Sequence, residues 1–386
     1  MKKIKLLLPL LLISALWACK DDENKDDQDI QFDQAAFLSN LSAEVILPNY
    51  LELNNAVNDL SESVDTLVFR KSKSDLDKVQ TKLKTAYLAW QKVSFLEFGP
   101  AMTVGLRANL NTFPTDTTEI EAKIAQNETN MDLLSMSDKK GFPALDYLLN
   151  HTSDSLILAE LNNNRINYLN AVVQDLKNKA NTVYGEWSAE YQSTFNSSLG
   201  TDVGSSTGQL INALNQHYER NFRDGKIGIP IGVRSSGIPR PEDSEALYGG
   251  YSIELAVANF EAMKTFYKGK DGLGLDDYLK SADAANLDQT IQNQMVSIDS
   301  KLNALNDPLP AEIQNNEQAL RDCYQEIQKL IVYWKVDMPS RLGVLITLVR
   351  EALMALAVLS GQQPRLLQLS KQIGDTLQYS ATMSGA

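Results

Sequence analysis

The sequence predicts an all-α protein made of two packed helical-bundle domains. Apolar residues recur at steps of three and four over many turns, strand-like alternation is nearly absent, and two long irregular segments interrupt the pattern. One stripe runs Leu76, Val79, Leu83, Ala86, Trp90 and Val93. A second runs Ile166, Leu169, Val173, Leu176, Ala180, Val183 and Trp187, and a third Ile313, Leu320, Tyr324, Ile327, Ile331, Trp334 and Met338. Stripes of this length are what bundle helices need to bury one face.

Residues 1–18 read as an export signal. Lys2, Lys3 and Lys5 precede an apolar run from Leu6 to Leu16 that is too short to span a bilayer. Leu16-Trp17-Ala18-Cys19 reads as a lipobox, so Cys19 is the expected lipidation site. Several acyl chains there would hold the protein stably to a membrane. Residues 19–32 form an acidic tether, since Lys20-Asp21-Asp22-Glu23-Asn24-Lys25-Asp26-Asp27 offers nothing to a core. That run resembles the sorting signal that carries lipoproteins of Bacteroidetes-type bacteria to the cell surface. The expected address is the outer membrane, facing outward or toward the periplasm.

Residues 33–154 are expected to form the N-terminal bundle, beginning with a long helical region, Asp33 to Phe69, interrupted near Pro48. Gly99-Pro100 to Asp116 is the first irregular segment. A helix then starts near Gly141 and Pro143, in Gly141-Phe142-Pro143-Ala144-Leu145-Asp146-Tyr147-Leu148-Leu149. The joint falls near His151–Ser155, and residues 155–347 make the C-terminal bundle. Within it, Arg223 to Glu242 carries too many glycines and prolines to be helical throughout. Residues 348–386 hold an apolar run, Leu353 to Leu359, and a polar tail. Gly141 to Asp146 and Gly249 to Glu254 echo one another, each a glycine followed five residues later by an acid. Duplication and chance both remain open.

Composition excludes some partners. Cleaving residues 1–18 removes three lysines and no acid, moving the formal charge from −13 to −16. Such a chain is unsuited to nucleic acid and other polyanions but compatible with cations and small ligands. With Cys19 acylated, Cys323 has no disulfide partner, and its place between Leu320 and Ile327 makes it a buried thiol.

The order of Ala89-Trp90, Glu97-Phe98-Gly99-Pro100, Asn111-Thr112-Phe113-Pro114-Thr115-Asp116 and Gly141–Leu149 resembles the imelysin-like family. The resemblance continues through Lys226-Ile227-Gly228-Ile229-Pro230-Ile231-Gly232, Tyr248–Asn259 and Leu342–Thr347. It implies two helical bundles packed side by side, a cell-envelope location, and either peptidase activity or a part in iron uptake, as in imelysin peptidase and iron-regulated protein A. The family signature G-x-H-x-x-E is degenerate here: Pro143 stands for the histidine and Asp146 for the glutamate.

That departure weakens the peptidase reading. A zinc hydrolase needs about three ligands and a base, and the chain has two histidines, His151 and His217. His151 sits at an expected helix end, where a cation is favourable for other reasons. A metallopeptidase rebuilt around Asp146, Glu97 and His151 or His217 is one alternative. Convergence of Glu97, Asp116 and Asp146 would instead make an oxygen-rich site for a hard cation such as iron, calcium or magnesium. Against it stand a first-turn dipole role for Asp146, capping by Asp116 and a Glu97–Arg107 pair. Arg220, Arg223, Lys226, Arg234 and Arg240 suit an anion, or else pair with Glu219, Asp224, Glu242, Asp243 and Glu245. Arg234 with Tyr248, Tyr251 and Glu254 is the expected ligand cleft. The reading favoured is a non-catalytic binding or accessory lipoprotein of iron or nutrient uptake, working with an outer-membrane transporter. A polysaccharide- or protein-binding surface module is a further alternative.

Overall fold

Apolar stripes at helical spacing must be covered, and in this chain they cover one another. The computed structural model describes residues 31–347, and from Phe32 onward these belong to one compact unit. Every regular element among the described residues is helical, in keeping with the all-α expectation. The expected signal peptide, lipid-bearing Cys19, most of the tether and the segment after Thr347 lie outside the described residues.

Helix α1 (Gln34–Asn40) starts at Asp33, whose carboxylate accepts the Ala36 N–H at 2.9 Å. A π-helical segment, Leu41–Ile46, leads without a gap into α2 (Leu47–Arg70). The interruption expected near Pro48 is thus a change of winding. Proline has no N–H to donate and its ring crowds the carbonyl four residues back, and a wider turn accommodates both. Helix α3 (Lys73–Gln91) is capped by Ser72 and carries the first apolar stripe.

The segment Gly99 to Asp116 holds two one-turn helices, α4 (Pro100–Val104) and α5 (Leu106–Leu110), before α6 (Thr117–Gln126). Then come α7 (Gly141–Asn150), α8 (Asp154–Glu160) and α9 (Asn163–Glu186). Helix α9 lies along α2, while α7 packs on α3 and α9. One bundle therefore draws on chain from both sides of the joint expected at residues 151–155.

After α10 (Gln192–Ser197) and α11 (Ser206–Gln216), the chain winds as a π-helix over His217–Gly228. Helical winding thus runs past Arg223 and through Gly225, further than the glycine and proline content implied. Turns follow to Gly237, and a short 3-10 turn covers Pro241–Asp243. The remaining helices are α12 (Ser252–Lys268), α13 (Leu275–Ser281), α14 (Ala285–Leu302), α15 (Leu309–Val332) and α16 (Met338–Leu342). Helix α12 bridges the molecule, packing on α3 on one side and on α13, α14 and the π-helix on the other. Helix α15 packs on α14 and the π-helix, with Cys323 fully buried and its thiol pushed up to about 12 by that burial.

Trp187, at the end of the second stripe, is enclosed by Tyr50, Phe98, Tyr191 and Phe195, with ring centroids 4.8–6.0 Å away. Trp187→Ala should cost about 3–5 kcal/mol in urea unfolding, because so dense an aromatic cluster cannot collapse onto the vacancy.

Candidate functional site

The degenerate signature lies against its echo. Gly141 opens α7 at φ +73, and a Cβ there would stand 2.2 Å from the Leu110 carbonyl oxygen. Asp146 is buried five residues further on. Its Oδ2 accepts the Tyr248 N–H at 2.9 Å, and its Oδ1 accepts the Gly249 N–H at 2.8 Å and the Asn150 amide at 3.0 Å. Gly249 allows this approach, since a Cβ on it would fall 2.7 Å from Asp146 Oδ1. From the other side Asp307 accepts the N–H groups of Ile253 and Glu254 at 2.8 and 2.9 Å. Two carboxylates therefore clamp the backbone of residues 248–254. The first-turn dipole role considered for Asp146 is replaced by this one: two of its three donors are backbone amides of a distant segment, and the third is the Asn150 side chain one turn on. Burial raises its pKa to about 6, partly offset by the three N–H donors.

The acidic triad does not assemble. Asp116 is the N-cap of α6, accepting the Glu119 N–H at 2.9 Å. Glu97 accepts the backbone N–H of Arg107 and lies 3.9 Å from its guanidinium. Each acid is used at a different backbone terminus, and no group of three His, Cys, Asp or Glu side chains able to hold a metal occurs among the described residues. The imidazoles do not repair this. His151 bonds the Tyr147 carbonyl at the end of α7 and faces Glu160 at 3.2 Å. His217 is sealed in the core against Asn259 and Phe95, and burial holds it neutral, well below the usual histidine range. The donor set thus fits neither a zinc centre nor a hard-cation site.

The expected ligand cleft also dissolves into separate contacts. Arg234 and Arg223 both bind Asp224, with closest distances of 2.5 and 2.7 Å. Tyr248 gives its N–H to Asp146, and Tyr251 is buried edge-on against Tyr87. Glu254 is exposed and pairs with Lys84 at 2.6 Å. Arg240 pairs with Asp243, again at 2.6 Å.

Lys226 goes inward. Its ammonium donates to Glu245 and, at 2.8 Å, to Gln91 Oε1 of α3. Glu245 Oε1 also accepts the amides of Gln91 and Asn111, at 3.1 and 2.8 Å, and Asn111 Oδ1 accepts the Tyr87 hydroxyl at 2.6 Å. Gln91 passes the network on through its carbonyl, which accepts the Asn259 amide at 2.7 Å. Burial lowers the Lys226 pKa against the opposing pull of Glu245.

Above Asn111 opens a cleft of about 460 Å³, within the range of small-molecule sites. Its walls are the two segments that the sequence marked as irregular: Arg107 to Pro114 on one side, and Gln216 to Ile229 with Asp243 on the other. The π-helix determines which residues face it. Gln216, Arg220, Gly225 and Ile229 follow at steps of four, five and four, the spacing of i→i+5 winding. An α-helix would have turned Arg223 and Ile227 toward the cleft instead. This register hid Gln216, Asn221 and Gly225 from a reading by three-and-four periodicity. Next to Asp146, by contrast, the open space is only about 30 Å³, room for about one water.

A helical bundle carrying these motifs in this order resembles imelysin-type proteins, and comparison with known proteins shows the family. The imelysin family model matches residues 46–332, and the chain belongs to that family. An iron-regulated protein A precursor from Parabacteroides distasonis superposes with a TM-score of 0.68 at 17% identity, covering 83% of this chain and 97% of its own. An imelysin-like protein from Psychrobacter arcticum gives 0.65 at 14% identity, covering 81% and 96%. At these identities the superpositions establish the fold. No curated protein matches the sequence.

Two outcomes are expected. Glu245→Ala strands the buried Lys226 charge and should cost about 3–5 kcal/mol in chemical denaturation, with Glu245→Gln milder. Carbon NMR of the Asp146 carboxyl should titrate near 6, above its ordinary 3.8. Since the folded group keeps its proton where the unfolded one has lost it, its contribution to stability is full below 3.8 and falls away as the pH rises to about 6. Urea unfolding of Asp146→Asn should lack that component, on the order of 1–3 kcal/mol across the window.

Proposed function

We propose that this imelysin-family chain is a non-catalytic binding or accessory component of iron or other nutrient uptake in the cell envelope. Cys19 would carry the lipid that holds it to the outer membrane, at the cell surface or the periplasmic face, beside an outer-membrane transporter. The lipobox and acidic tether support the address, and the structural likeness to an iron-regulated protein A precursor supports the iron context. One observation carries the non-catalytic reading. Asp146, the acid of the signature, spends both oxygens on the Tyr248 and Gly249 amides, while a ligand-sized cleft lies between residues 107–114 and 216–229. The signature serves as a clasp, and ligand recognition falls to the cleft.

A second reading, a polysaccharide-binding surface module, has its own support in a separate groove of about 480 Å³ between α2 and α9. Asn127, Asn167, Asn170 and Gln174 line it, and amides of this kind suit sugar hydroxyls. Glycan-array binding abolished by Asn170→Ala would favour it.

The leading reading is tested with the purified mature chain on a denatured protein substrate, with and without added zinc. No cleavage above background is expected, and Asp146→Ala should leave that baseline unchanged. Chelator-sensitive cleavage lost in Asp146→Ala would restore the peptidase reading.

A further inference from the structure

Among the described residues, one cation lining the cleft is left without a partner. Arg220 is exposed on the cleft-facing stripe of the π-helix and has no ionic or hydrogen-bond partner among the described residues. The acids around it are already engaged. Glu97 faces Arg107, and Asp243 faces Arg240. Glu219 is held by Lys335, and Asp224 by Arg223 and Arg234. In a chain with 49 acids and 36 bases, a guanidinium left over at the mouth of a cavity stands out against the composition.

Its surroundings define the complement. Asn221 and Gln216 lie beside Arg220 on the same stripe, and Asn111 faces them from the opposite wall. Phe113 and Ile229 supply apolar wall. We propose that Arg220 receives the carboxylate of a small organic acid whose apolar body lies against Phe113 and Ile229. A carboxylate matches the planar fork of a guanidinium with two parallel N–H···O bonds. With Arg107 of the same cleft paired to Glu97, Arg220 balances one negative charge, whereas a phosphate dianion would remain half compensated. The carboxamides bond the carboxylate edge or a polar substituent without adding charge. This inference rests on the reading of the cleft as the ligand site and specifies the ligand's chemistry.

Benzoate and benzamide, equal in shape and different in charge, make suitable probes, with inorganic phosphate as a third. Each is titrated into the ¹⁵N-labelled mature chain while the backbone amides of Asn221 and Gly225 and the Arg220 Nε–H are followed. Benzoate should shift these signals and bind about 10- to 100-fold more tightly than benzamide, the difference a charge-assisted bidentate contact makes. Arg220→Gln should remove that preference and Arg220→Lys should keep part of it. Phe113→Ala should weaken both aromatic probes alike. Arg220 is exposed, so its two variants are expected to keep the wild-type circular dichroism. Equal binding of benzoate and benzamide at the cleft, untouched by Arg220→Gln, would overturn the carboxylate assignment and leave the cleft as a site. Phosphate binding as tightly as benzoate would overturn it too. Shifts confined to residues outside the cleft would remove both the assignment and the reading beneath it.

Discussion

The buried ion pair between Lys226 and Glu245 is the constraint on which the arrangement of this protein turns. Neither charge can be left alone in the interior, since an unpaired buried ion costs several kcal/mol. Lys226 comes from the π-helix, Glu245 from the chain entering α12, and Gln91 and Asn111 from α3 and the end of α5. Satisfying the pair therefore fixes four separate stretches at one point. A hydrophobic contact could have joined the same elements, but it would have tolerated sliding. Hydrogen bonds of 2.6–3.1 Å around one carboxylate and its amide neighbours do not.

The cleft follows from that fixation. Asn111 belongs both to the network and to the cleft wall, so the walls are positioned by a buried charge rather than by loop stiffness. The π-helix completes the arrangement. Its wider turn lets Lys226 point into the core while Arg220, Gly225 and Ile229 face the cavity. The same segment thus meets an electrostatic demand inside and presents the exposed Arg220 guanidinium at the cleft. In family terms, Pro143 stands where the signature has a histidine, and Asp146 is a clasp that joins α7 to residues 248–249.

Much of this was legible in the residues. Three-and-four periodicity identified α3, α9 and α15 with their stripes, because packed helices must bury one face whatever their neighbours are. Cys323 fell where a buried thiol was expected, and the pairings of Arg223, Lys226, Arg234 and Arg240 with local acids were foreseen as one of two outcomes. The bridging of segments far apart in sequence was not legible. Nothing near Asp146 indicates that its oxygens face amides about a hundred residues away, whereas the capping by Asp116 and the Glu97–Arg107 pair were foreseen as the alternative to a shared acidic site. Pro48 and Gly225 misled for a common reason: both weaken an α-helix, and π-winding is the response that propensity does not encode.

The sequence by itself determined the helical class, the family and the segments that do not obey a simple period, because these depend on side-chain spacing and backbone chemistry along the chain. The tertiary structure alone decided which carboxylates are paired among the described residues, which arginine lines the cleft without a partner there, and which face of residues 216–229 meets the cavity. Those outcomes depend on desolvation and on partners brought together by folding, and both exist only once the helices have packed.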